Sequence, residues 1–104
     1  YSAAVEWFRQ ASEHGLVDSQ YNLAVLFEQG LGVSQDRTEA AYWFEVAGRA
    51  GDRDAARRAQ ALLEELPQID ADQVRRRARA YNPRPAIGAA NGDFGPRPWA
   101  PAER

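Results

Sequence analysis

The chain contains no cysteine and no methionine, and all thirteen of its basic residues are arginine. Without cysteine there is neither a disulfide framework nor a thiolate metal site. That absence suits an oxidising and a reducing compartment equally. The single histidine, His14, has no carboxylate cluster beside it in sequence that would complete a metal site. No apolar run approaches the roughly 20 residues that a membrane-spanning helix needs, and no stretch reads as a secretory leader. Position 1 is tyrosine. The sequence is therefore expected to be part of a longer or processed chain, entered part-way through a repeat, with targeting information in the missing part. Net charge is −2, too close to zero for nucleic acid or an anionic membrane to be the main partner. At 104 residues, the chain suffices for one small domain.

What is present is a repeat. Ala4, Trp7, Phe8, Ala11, Gly15 and Asp18 recur as Ala40, Trp43, Phe44, Ala47, Gly51 and Asp54, each pair 36 positions apart, and Leu26 and Leu62 keep the register. A fixed period of this size marks stacked two-helix units, none of which can bury its apolar face alone. The expected fold is all-α: a right-handed solenoid of helix-turn-helix repeats, with a C-terminal capping helix and an extended tail.

Local signals place the elements. Tyr1 to His14 has helical periodicity through Ala4, Val5, Phe8 and Ala11, and Gly15 stops it. Asp18 is placed to cap a second helix that runs to about Gln29 and turns Leu23, Leu26 and Phe27 inward. Gly30-Leu31-Gly32-Val33 opens a loop in which Leu31 and Val33 tuck under the turn. Asp36 caps a third helix that ends at Gly51. A fourth, from about Asp52 to Leu66, turns Ala55, Ala59, Leu62, Leu63 and Leu66 inward. Pro67 breaks the repeat. Asp70-Ala71-Asp72-Gln73 then reads as a capping box for a fifth helix to about Ala80. Its apolar content is thin: Ile69, Val74, Ala78 and Tyr81. The boundaries are repeats over 1–66, a capping helix over 67–81 and a tail over 82–104. The tail alternates proline and glycine, which predicts an extended, polyproline-like or disordered segment. Phe94 and Trp99 argue for docking, onto this solenoid or onto a neighbouring molecule, with self-association in the second case.

These residues resemble the Sel1-like repeat, a relative of the tetratricopeptide repeat. The features that carry the resemblance are Gln20-Tyr21-Asn22-Leu23-Ala24, the Gly30-Leu31-Gly32-Val33 loop and the helix Ala40-Ala41-Tyr42-Trp43-Phe44-Glu45-Val46-Ala47. The resemblance runs from residue 3 to about 66 and contains one whole repeat, 16–51. Arg57 and Arg58 depart from the Tyr-Asn of the earlier copy, as expected where the stack stops and a face becomes wet. The region from Val74 to Pro85 is similar to the end of the PodJ-like polar localisation factors of alphaproteobacteria. That similarity implies a periplasmic position and a part in cell-pole organisation or signalling.

Candidate chemistry is sparse. Gly30-x-Gly32 lacks the preceding strand and the lysine of a phosphate loop, so it reads as a tight turn. Asp18, Asp36, Asp52 and Asp70 sit where helix caps are wanted. No nucleophile–base pair stands out, so the reading is a non-enzyme with no catalytic residue, no metal and no cofactor. The candidate partner-binding residues are Trp7, Tyr42, Trp43, Arg75, Arg76, Arg79 and Trp99. Exposed aromatics and arginines are the usual anchors of interfaces. Four arginines on the fifth helix, Arg77 among them, suit a solvated or partner-docking face better than nucleic acid. The predicted function is a protein–protein scaffold or adaptor for a protein or peptide partner. A periplasmic cell-wall glycan or peptide binder and a structural spacer are the alternatives. No nucleic acid partner and no membrane insertion by this segment are expected.

Overall fold

In the computed structural model the described residues are 1–84. Residues 85–104, with Phe94 and Trp99, lie outside them, as does all of the expected tail beyond Arg84. Five helices are described: α1 (Ser2–Glu13), α2 (Val17–Gln29), α3 (Arg37–Arg49), α4 (Arg53–Glu65) and α5 (Gln68–Ala80). The fold is an all-α solenoid of helix-turn-helix units.

The 36-residue repeat is visible in backbone geometry. After α1, Leu16 N–H donates to Ala11 O and Gly15 N–H to Ser12 O; after α3, Asp52 N–H donates to Ala47 O and Gly51 N–H to Gly48 O. This is one helix-ending motif used twice. It needs a residue at positive φ, and Gly15 and Gly51 sit at +94° and +116°.

α3 is the centre of the molecule. It packs against α2, α4 and α5, while α1 rests mainly on α2. It buries Ala40, Ala41, Tyr42, Trp43, Phe44, Val46 and Ala47. Phe44 is fully buried and meets Tyr21 edge-on at 5.3 Å between ring centroids. Arg58 of α4 lies over both rings, 5.6 Å from Tyr21 and 5.7 Å from Phe44. It also pairs with Asp54 and Glu28. Arg57 and Arg58 are both exposed, as expected, and the Arg58 guanidinium in addition lies over Tyr21 and Phe44. Leu31 and Val33 pack partly buried against the core.

Two caps hold and two do not. Asp36 accepts from Glu39 N–H at 3.0 Å, and Asp52 from Ala55 N–H at 3.0 Å. Asp18 does not cap α2. The helix starts at Val17 with Leu16 at the N-cap, because the motif that ends α1 already fixes Leu16. Asp18 sits in the first turn, where a carboxylate still meets the positive end of the helix dipole. Asp70 is likewise inside α5 and forms no capping box. Pro67, with φ −54°, stands at the N-cap, and the helix begins directly after it. Because α5 starts earlier than expected, its inward stripe is Ala71, Val74 and Ala78, and Ile69 is 66% exposed. Among the described residues, no helix is long and apolar enough to cross a membrane.

Candidate functional site: an aromatic groove over α3

A groove of about 640 Å³ opens between α1, α3 and the end of α5. Tyr42 and Trp43 of α3 line it, together with Arg9 and Glu13 of α1, Glu39 of α3, and Arg77 and Tyr81 from α5 and its end. Each side chain is there for a local reason. Glu39, Tyr42 and Trp43 lie on adjoining strips of α3 at helical spacing. Arg9 also stands 5.7 Å above the Phe27 ring of α2. Arg77 projects beside the inward stripe of α5, lies 4.0 Å from the Tyr42 ring centroid and pairs with Glu39 at 3.4 Å.

The chain that leaves α5 turns back across the end of α1. Tyr81 Oη donates to Ser12 O at 2.6 Å, and Gln20 Nε2 donates to Ser12 O and to Tyr81 Oη, both at 3.1 Å. Arg84 N–H donates to Glu13 O at 2.8 Å, and its guanidinium pairs with the Glu13 carboxylate. His14 Nδ1 stands 2.7 Å from Arg84 O. A carbonyl only accepts, so this nitrogen carries the proton. His14 is a structural contact at the end of α1. Tyr81 also sits edge-on to Trp43 at 6.1 Å.

The electrostatics follow from burial. Desolvation raises the Tyr42 phenol; Arg77 opposes the shift and Glu39 adds to it. Desolvation raises Tyr81 too, against the hydrogen bond from Gln20. Both hydroxyls therefore stay neutral well into the alkaline range. Tyr42 and Trp43 are buried and form the floor of the site, while its accessible rim carries fixed charges of both signs: Arg9, Arg77 and Arg84 with Glu13 and Glu39. That set suits recognition of a peptide or helix. Among the described residues, no group of three or more His, Cys, Asp or Glu side chains could hold a metal.

The sequence-derived candidates separate. Tyr42 and Trp43 come together in the groove. Trp43 is 4% exposed, while Trp7, its repeat counterpart, is 49% exposed and stands edge-on to Phe8 at 5.6 Å. Arg75 pairs with Asp72 on its own helix. Arg79 lines a smaller cavity with Arg49 and Val46. Arg76 is exposed, and Trp99 lies outside the described residues. Sequence reasoning counted Arg77 only as one of four arginines on a solvated or docking face, and did not single out Arg9, Glu13, Glu39 or Tyr81 as site residues. Two of these had a signal: Arg77 is three residues after Val74, and Tyr81 three after Ala78, so both flank the inward stripe.

The sequence pattern of the Sel1 repeat matches residues 1–16 and 17–52. The second match contains the whole of α2 and α3, and its end coincides with the Asp52 cap; α4 and α5 lie beyond it. No solved structure matches the chain. The paired helix-ending glycines, the loop between α2 and α3 and the matched residues agree, and the chain belongs to the Sel1 repeat family.

Proposed function

We propose that this chain is a non-enzymatic adaptor that holds a segment of a protein partner in the groove over Tyr42 and Trp43. Sel1 repeats generally mediate protein–protein interaction, and the family is typically non-catalytic. The observation that carries the reading here is the groove itself: a concave site with three aromatic side chains, Tyr42, Trp43 and Tyr81, along it and arginines and carboxylates at its edges. Such aromatic and arginine anchors dominate interface energies. A structural spacer has no need of them.

The experiment is affinity capture by the unaltered chain and by an Arg9→Glu, Glu13→Arg double variant, read by mass spectrometry. A partner retained by the first and lost from the second supports the adaptor. Identical captured sets would favour the spacer. Release of a bound partner by cell-wall glycan fragments would favour the glycan-binding alternative. The finer assignment, to cell-pole organisation in the periplasm, rests on the resemblance of Val74 to Pro85. It is checked by imaging the tagged full-length protein: a polar focus supports it, a uniform distribution removes it.

A further inference from the structure

α5 does not continue the stack. α3 packs against α2 before it and α4 after it, whereas α5 packs on α3 and at most marginally on α4. The strip of α3 that it covers holds Glu39, Trp43 and Val46. Arg77 reaches Glu39, Tyr81 meets Trp43, and Ala78 shares a cavity with Val46. The matching positions on α1 are Ala3, Trp7 and Gln10, and all three are exposed. α5 therefore lies on the strip of α3 whose counterpart positions on α1 are solvent-exposed.

The apolar hold of α5 itself on this face is small, and residues 81–84 add hydrogen bonds to Ser12 and Glu13 at the end of α1. Ala71, Val74 and Ala78 are the only buried residues of α5, and two of those are alanine. The Arg77–Glu39 pair is half-exposed on the arginine side. The indole N–H of Trp43 is buried with no acceptor among the described residues, a cost that a better-fitting occupant would remove. Only Leu66 and Pro67, both extended, join α5 to α4, so α5 can leave without disturbing α4.

We infer that this face of α3 is a helix-binding site and that α5, with residues 81–84, is its intramolecular occupant. The partner supplies an amphipathic helix of the same chemistry. It carries small apolar residues spaced as Ala71, Val74 and Ala78, an arginine opposite Glu39, and a polar acceptor for the Trp43 indole. This is a helix laid into a groove, displacing a resident one. The inference rests on the adaptor reading and extends its groove: the partner replaces the wall that α5 and residues 81–84 supply and keeps the floor of Tyr42, Trp43 and Glu39.

The test uses the full chain. In hydrogen exchange of the unaltered protein, amides of α5 should exchange at least about 100-fold faster than those of α3, because a local opening suffices. Equal protection of the two helices overturns the inference whether or not the groove binds a partner, so its failure is distinct from failure of the adaptor reading. Binding is measured with a labelled synthetic peptide of residues 67–84. Arg77→Glu in the chain sets α5 against Glu39, while the peptide keeps its arginine. This variant should bind the peptide at least about tenfold more tightly than the unaltered chain does, since the competing occupant is weakened. Adding Glu39→Gln should remove most of that gain. Equal affinity of the two chains overturns the proposal. Dimerisation by exchange of α5, with no uptake of peptide, assigns the face to a second copy and overturns it as well. If Arg77→Glu abolishes the helical signal, the exchange measurement on the unaltered chain decides alone.

Discussion

α1 and α3 carry the same residues at the same spacing and end in the same glycine motif, yet they live in different surroundings. α3 has helices on three sides; α1 has chiefly α2. Phe44 and Ala40 are fully buried, while Phe8 and Ala4 are only partly so. Trp43 falls to 4% exposure and Trp7 stays at 49%. A repeat motif specifies a shape with apolar faces. Neighbouring units determine how much each face contributes, as expected of a quasi-one-dimensional stack.

The sharpest way to break this comparison is to truncate matched aromatics. Phe44→Ala should cost about 3 to 5 kcal/mol, the scale for deleting a buried aromatic. Total stability for a domain of this size is of order 5 to 15 kcal/mol, so much of the fold goes with it. Phe8→Ala should cost less than half as much. Urea unfolding of both variants checks this, and equal costs would mean that surroundings do not govern the repeat.

A second contrast lies where α1 meets α2 and where α3 meets α4. In the first unit Ser12 is buried and Gln20 of α2 reaches its carbonyl. In the second, the matching positions are Gly48 and Ala56, and a Cβ on Gly48 would stand 2.8 Å from the Ala56 Cα. Gly48→Ser therefore installs the residue that α1 already carries, yet should destabilise by about 1 to 3 kcal/mol through overpacking. A melting temperature at or above that of the unaltered chain would show that α3 and α4 can separate freely.

The paired glycines give a smaller effect. A Cβ on Gly51 meets nothing within 4 Å, while one on Gly15 comes within 3.1 Å of Pro83. Gly51→Ala should cost about 1 to 2 kcal/mol from positive φ alone. Gly51→Val should cost more, because β-branching suits that region less. Gly15→Ala should exceed Gly51→Ala, because it also pushes Pro83 off the end of α1. If the two alanine variants unfold alike, residues 82–84 do not press on α1.

Much of the fold was legible because its signals are local. The glycine stops, the Asp36 and Asp52 caps and the inward Ala55, Ala59, Leu62 and Leu63 all depend on near neighbours. Asp18 and Asp70 misled because a cap depends on where the preceding chain arrives: the turn at Gly15 in one case, Pro67 in the other. Asp52→Ala should accordingly cost about 1 kcal/mol as a lost cap, and Asp18→Ala no more than about 0.5 kcal/mol as a surface change; equal losses would restore Asp18 as a cap. The groove was less legible. Tyr42 and Trp43 were readable as aromatics on a repeat helix. The pairing of Arg77 with Glu39, and of Tyr81 with Ser12, joins residues far apart in sequence. It follows from α5 lying on α3, which no local pattern encodes.

The smallest effect is a pH dependence, and composition makes it easy to isolate. With no lysine and no cysteine, tyrosine is the only side chain that titrates near pH 10. Three tyrosines have folded-state values raised above the ordinary one. Tyr21 is raised chiefly by its hydrogen bond to Asp54, and Tyr42 and Tyr81 chiefly by burial. A raised value means that the folded state holds its proton more tightly than the unfolded chain does. Stability should then be level below about pH 10 and decline as pH rises through the folded-state values. Tyr42 and Tyr81 both face the α3–α5 contact, so α5 should loosen before α1 to α4 unfold. Far-ultraviolet circular dichroism would show a partial loss of helix preceding the main transition. Tyr81→Phe removes the phenol that titrates and also its bond to Ser12. It should lower stability at neutral pH by about 1 kcal/mol and flatten the alkaline decline. A decline of unchanged steepness in Tyr81→Phe would place the alkaline sensitivity at Tyr42 or at the Tyr21–Asp54 pair instead, and Tyr42→Phe then separates the α5 contact from the α2–α4 one.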